Sequence, residues 1–193
     1  DGKEKSNTPY NAWPVSDTDY RKLYLQDGEK LSTDKPSSTA QVSYDAEKGE
    51  TSFTLRFEED TQLVGYATAR LYVEAKDADD MDVFVLIEKL DADGTPILPS
   101  ELATKYFPMP PPGVPGRLRA SMRALDSDKS TPYLPVHEFL EPKKLADGEV
   151  VQLDIALMPT AMRWHKGQQL KLTIAGSYVK GSGLPLPTLN KGT

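Results

Sequence analysis

Polar and apolar residues alternate most clearly between Thr61 and Ala75. Leu63, Gly65, Ala67, Ala69, Leu71, Val73 and Ala75 fall on every second position, with Tyr66, Thr68, Arg70, Tyr72 and Glu74 between them. A period of two places one set on each face of a sheet, which predicts a long half-buried strand. The run from Val83 to Leu90 is apolar almost throughout, interrupted by Glu88 and Lys89, and predicts a strand covered on both faces. Between these strands lies an acidic turn containing Asp77, Asp79, Asp80 and Asp82.

The same pattern predicts further strands at Arg21–Gln26, with Leu23 and Leu25 facing inward, and at Val150–Met158 and Gln168–Ala175. A hairpin is expected from Gln41–Tyr44 through the turn Asp45–Gly49 into Thr51–Phe57. Arg117–Ala124 reads as a strand with Leu118, Ala120, Met122 and Ala124 on one side. Residues 29–40 read as an exposed loop. Thr95–Pro115 holds seven prolines, is excluded as a central strand and has room for a short helix at Ser100–Lys105. Asp126–Leu145 is a second irregular crossover, and Pro159–Gly167 is a turn plugged by Trp164. No closing strand is read in Gly176–Thr193. Residues 1–19 read as a linker or N-terminal extension, and 20–193 as one domain. About eight strands joined by long connections point to an all-β fold, a jelly-roll β-sandwich.

Composition narrows the function classes. A chain of 193 residues can bury roughly two thirds of its unfolded surface without staples. Cysteine is absent, so disulfides and a thiol nucleophile are excluded. The net charge of -6 comes without a basic run, which argues against nucleic acid. No apolar stretch reaches the ~20 residues of a membrane span. A soluble protein is expected, with the cytoplasm slightly favoured.

Candidate chemistry is sparse. There is no G-x-S-x-G, and the two histidines, His137 and His165, read as loop residues. Asp77, Asp79, Asp80 and Asp82 form a candidate calcium cluster, because Ca²⁺ takes several loop oxygens. Met81 and the lack of a following glycine break the EF-hand pattern, and a solvated charged turn is the favoured reading. Arg117, Arg119 and Arg123, with Arg70 across the sheet, are weighed as an anion site against ordinary ion pairing. Tyr10, Trp13, Tyr20 and Tyr24 gather near the N-terminus as candidate interface aromatics.

Several segments carry a family resemblance: DYRKLYL (19–25), EEDTQLVGYATARLYVEAKDADDMDVFVLIEKLDADG (58–94), GRLRASMRALD (116–126), DGEVVQLDIALMPTAMRWHKGQQLKLTIAG (147–176) and NKGT (190–193). In this order they resemble the C-terminal domain of the cocaine-esterase-like and X-Pro dipeptidyl-peptidase hydrolases. The resemblance implies a galactose-binding-like jelly roll that packs on an α/β-hydrolase catalytic domain of the same polypeptide and helps to form its substrate site. It implies no catalytic residue, no cofactor and no metal within this chain, and leaves a homo-oligomer open. The family's hydrolase domain and final strand are missing, so an excised domain cut at both ends is expected. A carbohydrate-binding module is the rival reading.

Overall fold

The computed structural model describes residues 9–97 and 113–179, which hold eight strands and one short 3-10 turn. The strands are β1 (Tyr24–Gln26), β2 (Lys30–Ser32), β3 (Glu50–Arg56), β4 (Thr61–Val73), β5 (Asp82–Leu90), β6 (Val114–Arg119), β7 (Val151–Trp164) and β8 (Gln169–Ala175). They form one sheet in the order β1-β2-β3-β8-β5-β6-β7-β4. β1–β2, β2–β3, β5–β6 and β6–β7 are neighbours in both sequence and space, whereas β8 lies between β3 and β5, and β4 lies beyond β7. This order needs long crossovers, as expected for a jelly-roll sandwich and unlike a meander.

The sheet curls on itself. Leu31 of β2, Phe53 of β3, Val85 of β5, Leu118 of β6, Ile155 of β7, Ile174 of β8 and Leu71 of β4 all belong to one buried cluster, although β2 and β4 lie near opposite ends of the strand order. Leu153 and Ile155 are fully buried. Each such side chain contributes about 1.5–3 kcal/mol by leaving water.

The two strongest sequence expectations hold. In β4 the alternation buries Ala69 and Leu71 and leaves Arg70 and Tyr72 exposed. β5 lies between β8 and β6, and every residue from Val85 to Leu90 is buried. Glu88 is covered as well, with its carboxylate 3.6 Å from the Lys171 ammonium. Turn chemistry also follows the sequence. Asp45 Oδ1 accepts from the Glu47 and Lys48 amides, and Asp91 Oδ1 accepts from the Asp93 and Thr95 amides ahead of β6. Arg56 donates to the carbonyls of Gly167 and Ala92, tying two turns to β3.

Elsewhere the structure corrects the pattern. Residues 41–44 form no strand, so the expected hairpin is absent; β3 pairs instead with β8 along its length and with β2 at Lys30–Thr54. The loop at 29–40 contains β2, because Leu31 packs into the core. The first strand is shorter than expected and leaves Leu23 outside it, 37% exposed. β6 begins at Val114, inside the proline-rich stretch, and lies between β5 and β7 in the sheet. Pro115 is tolerated there because pairing toward β7 is reduced to Gly116–Leu157.

The chain then turns at Ala120–Met122 where strand was expected. β7 runs through the expected turn to Trp164. Between the pairs Gly65–Thr160 and Ala67–Leu157, Met158 and Pro159 oppose Tyr66 alone, and this bulge absorbs the proline. Trp164 is a plug as expected, 1% exposed, but it ends a strand. The helix expected at Ser100–Lys105 and the tail from residue 180 lie outside the described residues, and Gly176–Val179 carries no strand.

Candidate docking surface

Tyr66, Thr68, Arg70 and Tyr72 share the side of β4 that alternates away from its buried residues. Two segments supply aromatic rings to this part of the molecule. Trp13 meets Tyr66 edge to face, with centroids 5.9 Å apart and planes at 72°. Tyr20 stacks on Tyr133 of the 126–145 crossover at 3.9 Å and 10°. The Tyr20 hydroxyl lies 3.9 Å from where a Cβ on Gly65 would sit, so this ring also reaches β4. Burial, then the neighbouring Tyr133 and Tyr66, push the Tyr20 phenol above its ordinary value. Trp13 and Tyr20 still expose 50% and 40% of their surface. Ring faces held in fixed geometry and left half in water are suited to bury a partner surface at low entropic cost.

Of the sequence candidates, the structure brings Trp13 and Tyr20 into this aromatic group. Tyr10 is 51% exposed and has no ring contact among the described residues, while Tyr24 lies half-buried in β1 opposite Ser32. Tyr66 and Tyr133 were not among the sequence candidates. Tyr66 occupied a polar-side position of the best-read strand, but nothing local in Tyr133 announces a ring partner more than a hundred residues away.

The polar part of the same face is an ion pair. Arg70 Nε donates to Asp154 Oδ1 at 2.5 Å, and Gln152 Nε2 donates to Asp154 Oδ2 at 2.7 Å. His137 of the crossover ring-packs 5.5 Å from Phe139, and its Nε2 is buried without a hydrogen-bond partner. Burial lowers the His137 pKa from its ordinary 6.5, against the opposing pull of the Asp154 carboxylate and a hydrogen bond to the Asp154 main chain. The unfolded chain therefore binds more protons than the native one as pH falls below about 6.5. Stability is full above that pH and declines as pH drops through and below it. His137→Gln is expected to remove this part of the decline. Urea titrations of both proteins at about pH 8 and about pH 5.5 check it, and an equal loss in both would count against the assignment.

The remaining candidates are held by one another. Arg119 clamps Asp82 with two hydrogen bonds of 2.8 and 2.7 Å. Lys144 Nζ lies 3.2 Å from Asp79 and 3.4 Å from Asp80. Burial opposes ionisation of Asp80, yet hydrogen bonds from Ser121, Met81 and Lys144 hold its carboxyl below the usual range. Among the described residues no group of three or more His, Asp or Glu side chains converges to hold a metal ion. Arg123 donates to the carbonyls of Ala120 and Lys143, and the 3-10 turn takes it off the strand that carries Arg117 and Arg119. His165 Nδ1 lies 3.1 Å from Asp60 Oδ2, which also accepts from Arg163, while Asp60 Oδ1 takes the Lys166 amide. That amide bond, then His165 and Arg163, keep the Asp60 carboxyl low. A concavity of about 380 Å³ lies over Phe84, Leu86, Gly116, Ala156 and Met158, with Arg117 at its wall. None of the described helical turns is long and apolar enough to cross a membrane.

A family model described as the X-Pro dipeptidyl-peptidase C-terminal non-catalytic domain matches residues 1–192. Among solved structures, a CocE/NonD family hydrolase from Staphylococcus aureus is similar in two crystal structures, at 31% and 33% identity, each with a TM-score of 0.83. The matches cover 91% and 92% of this chain and 32% of the hydrolase, so the chain spans about a third of the length of that relative. An aminopeptidase from a marine sediment Thaumarchaeota archaeon shares the fold at 17% identity and TM-score 0.60, over 88% of this chain and 31% of its own. No curated protein matches the chain. With a match along nearly its whole length, the chain belongs to the X-Pro dipeptidyl-peptidase C-terminal non-catalytic domain family.

Proposed function

We propose that the chain is the accessory β-sandwich of a serine hydrolase, an esterase or X-Pro dipeptidyl peptidase, and that it packs on the catalytic α/β-hydrolase domain of the same polypeptide and helps to wall the substrate site. The family match over residues 1–192 carries this reading. The half-exposed rings of Trp13 and Tyr20, braced by Tyr66 and Tyr133, are the surface assigned to that contact. The comparisons lend no support to a carbohydrate-binding module.

The chain alone is expected to show no turnover of p-nitrophenyl esters or X-Pro-anilides. The separately produced hydrolase part is expected to bind it in a calorimetric titration. Replacing Trp13 and Tyr20 together by Ala removes the two interface rings and is expected to weaken that binding by about 100-fold, within the range for buried aromatic anchors. Unchanged affinity would place the contact elsewhere, and hydrolysis by the chain alone would overturn the accessory role.

A further inference from the structure

Six of the chain's seven arginines are engaged. Arg21, Arg70, Arg119 and Arg163 pair with Asp19, Asp154, Asp82 and Asp60, while Arg56 and Arg123 donate to main-chain carbonyls. Arg117 alone is exposed with no hydrogen bond or ion pair among the described residues. The next residue, Leu118, belongs to the buried cluster, so alternation turns Arg117 to the outer face of β6. There it stands opposite Phe84 of β5, and Pro115 stands opposite Leu86. On the other flank Leu157 is a core residue, which turns its neighbours Ala156 and Met158 to the same outer face. These side chains floor the concavity of about 380 Å³, and the chain leaving β8 lines it with Tyr178 and Val179. Its described lining holds no Asp or Glu, and Arg117 is the single charge in it.

We propose that this concavity binds a small organic monocarboxylate with an unbranched apolar tail. The tail lies over Phe84, Leu86, Ala156 and Met158, and the carboxylate accepts from the Arg117 guanidinium. A mostly apolar lining with one charged group to fix orientation is the usual make-up of a small-molecule site, and the volume falls within the range of such sites. The apolar floor crosses β5, β6 and β7, about 10 Å at the usual spacing of strands, a strip that suits an extended chain. A guanidinium offers parallel N–H groups that match the two oxygens of a carboxylate. One cation compensates one negative charge, so a phosphate dianion would carry uncompensated charge into a chain that already stands at -6. An alcohol of the same length would leave the guanidinium to water. Binding here is a property of the chain alone and does not rest on the accessory role.

The test is a titration of the 193-residue chain with octanoate, followed by calorimetry and by the NMR shifts of the backbone amides. Saturable binding is expected, with the shifts gathered at residues 84–86, 115–117 and 156–158. Hexanoate, two methylenes shorter, is expected to bind about tenfold more weakly. Arg117→Gln is expected to raise the Kd for octanoate by about tenfold or more and to leave that for octanol unchanged. Met158→Glu sets a second carboxylate against the bound one and is expected to weaken octanoate binding as strongly. Both positions are exposed, so unchanged melting curves confirm that the variants fold. Absence of saturable octanoate binding overturns the proposal. So does an octanoate affinity indifferent to both substitutions, a set of shifts gathered elsewhere on the chain, or tighter binding of octyl phosphate than of octanoate.

Discussion

Trp164→Ala is expected to lower the stability of the chain by about 3–5 kcal/mol, a large share of what a domain of this size has. The ring is 1% exposed and closes the end of β7, packing 5.2 Å from Phe57 at the exit of β3. Its Nε1 donates to the Gln169 carbonyl at 3.0 Å, so truncation also leaves that acceptor at the start of β8 without its donor. The cost therefore combines a cavity with a lost hydrogen bond. Trp164→Phe keeps much of the volume and should cost less. Urea denaturation reads this as a fall in midpoint at constant slope. A loss below ~1 kcal/mol would mean that the site collapses around the missing ring and that the plug is dispensable.

Gly116→Val is expected to cost about 3 kcal/mol, by a different route. A Cβ at residue 116 would sit 2.8 Å from the Ala156 carbonyl oxygen, 3.2 Å from Ile155 Cγ2 and 3.3 Å from Leu157 Cγ. Ile155 and Leu157 are core side chains at 0% and 4% exposure, and the Ala156 oxygen belongs to the strand itself. None of the three can swing aside cheaply. Gly116 is also the residue through which β6 registers with β7, at Leu157, so forcing the strands apart would open the sheet at a ladder of a single registered pair. Gly116→Ala should fall between wild type and valine in thermal melting. Equal stability of all three would show that β6 and β7 can separate without strain.

How far the sequence could be read depended on whether a residue's partner was local. The strands β4 and β5 were legible because alternation and an unbroken apolar run are properties of the strand alone. β2 was not, since a single apolar residue, Leu31, marks it, and its burial depends on β3 and the curl of the sheet. Pro159 was read as a stop because a proline normally ends a ladder; the bulge opposite Tyr66 that accommodates it is a property of two strands separated by about ninety residues. The same divide runs through the docking surface. Trp13 and Tyr20 were visible as aromatics in a polar segment, while Tyr133 gained meaning only when the crossover carried it onto Tyr20.

The strand order also dictates when the fold can form. β3 waits for β8, β4 waits for β7, and β5 needs β8 to fill its second side, so nearly every long ladder depends on residues 151–175. During synthesis only β1–β2, the single β2–β3 pair at Lys30–Thr54 and β5–β6 have both partners in place before residue 151. The chain therefore emerges with β4 unpaired, β3 held only at Thr54 and β5 filled on one side alone, and closes in one late cooperative step once its last two strands appear, the slow regime expected when contacts join distant parts of a chain. A ribosome-bound chain stalled before residue 151 would be protease-sensitive throughout β3, β4 and β5, and one stalled well beyond 175 would resist.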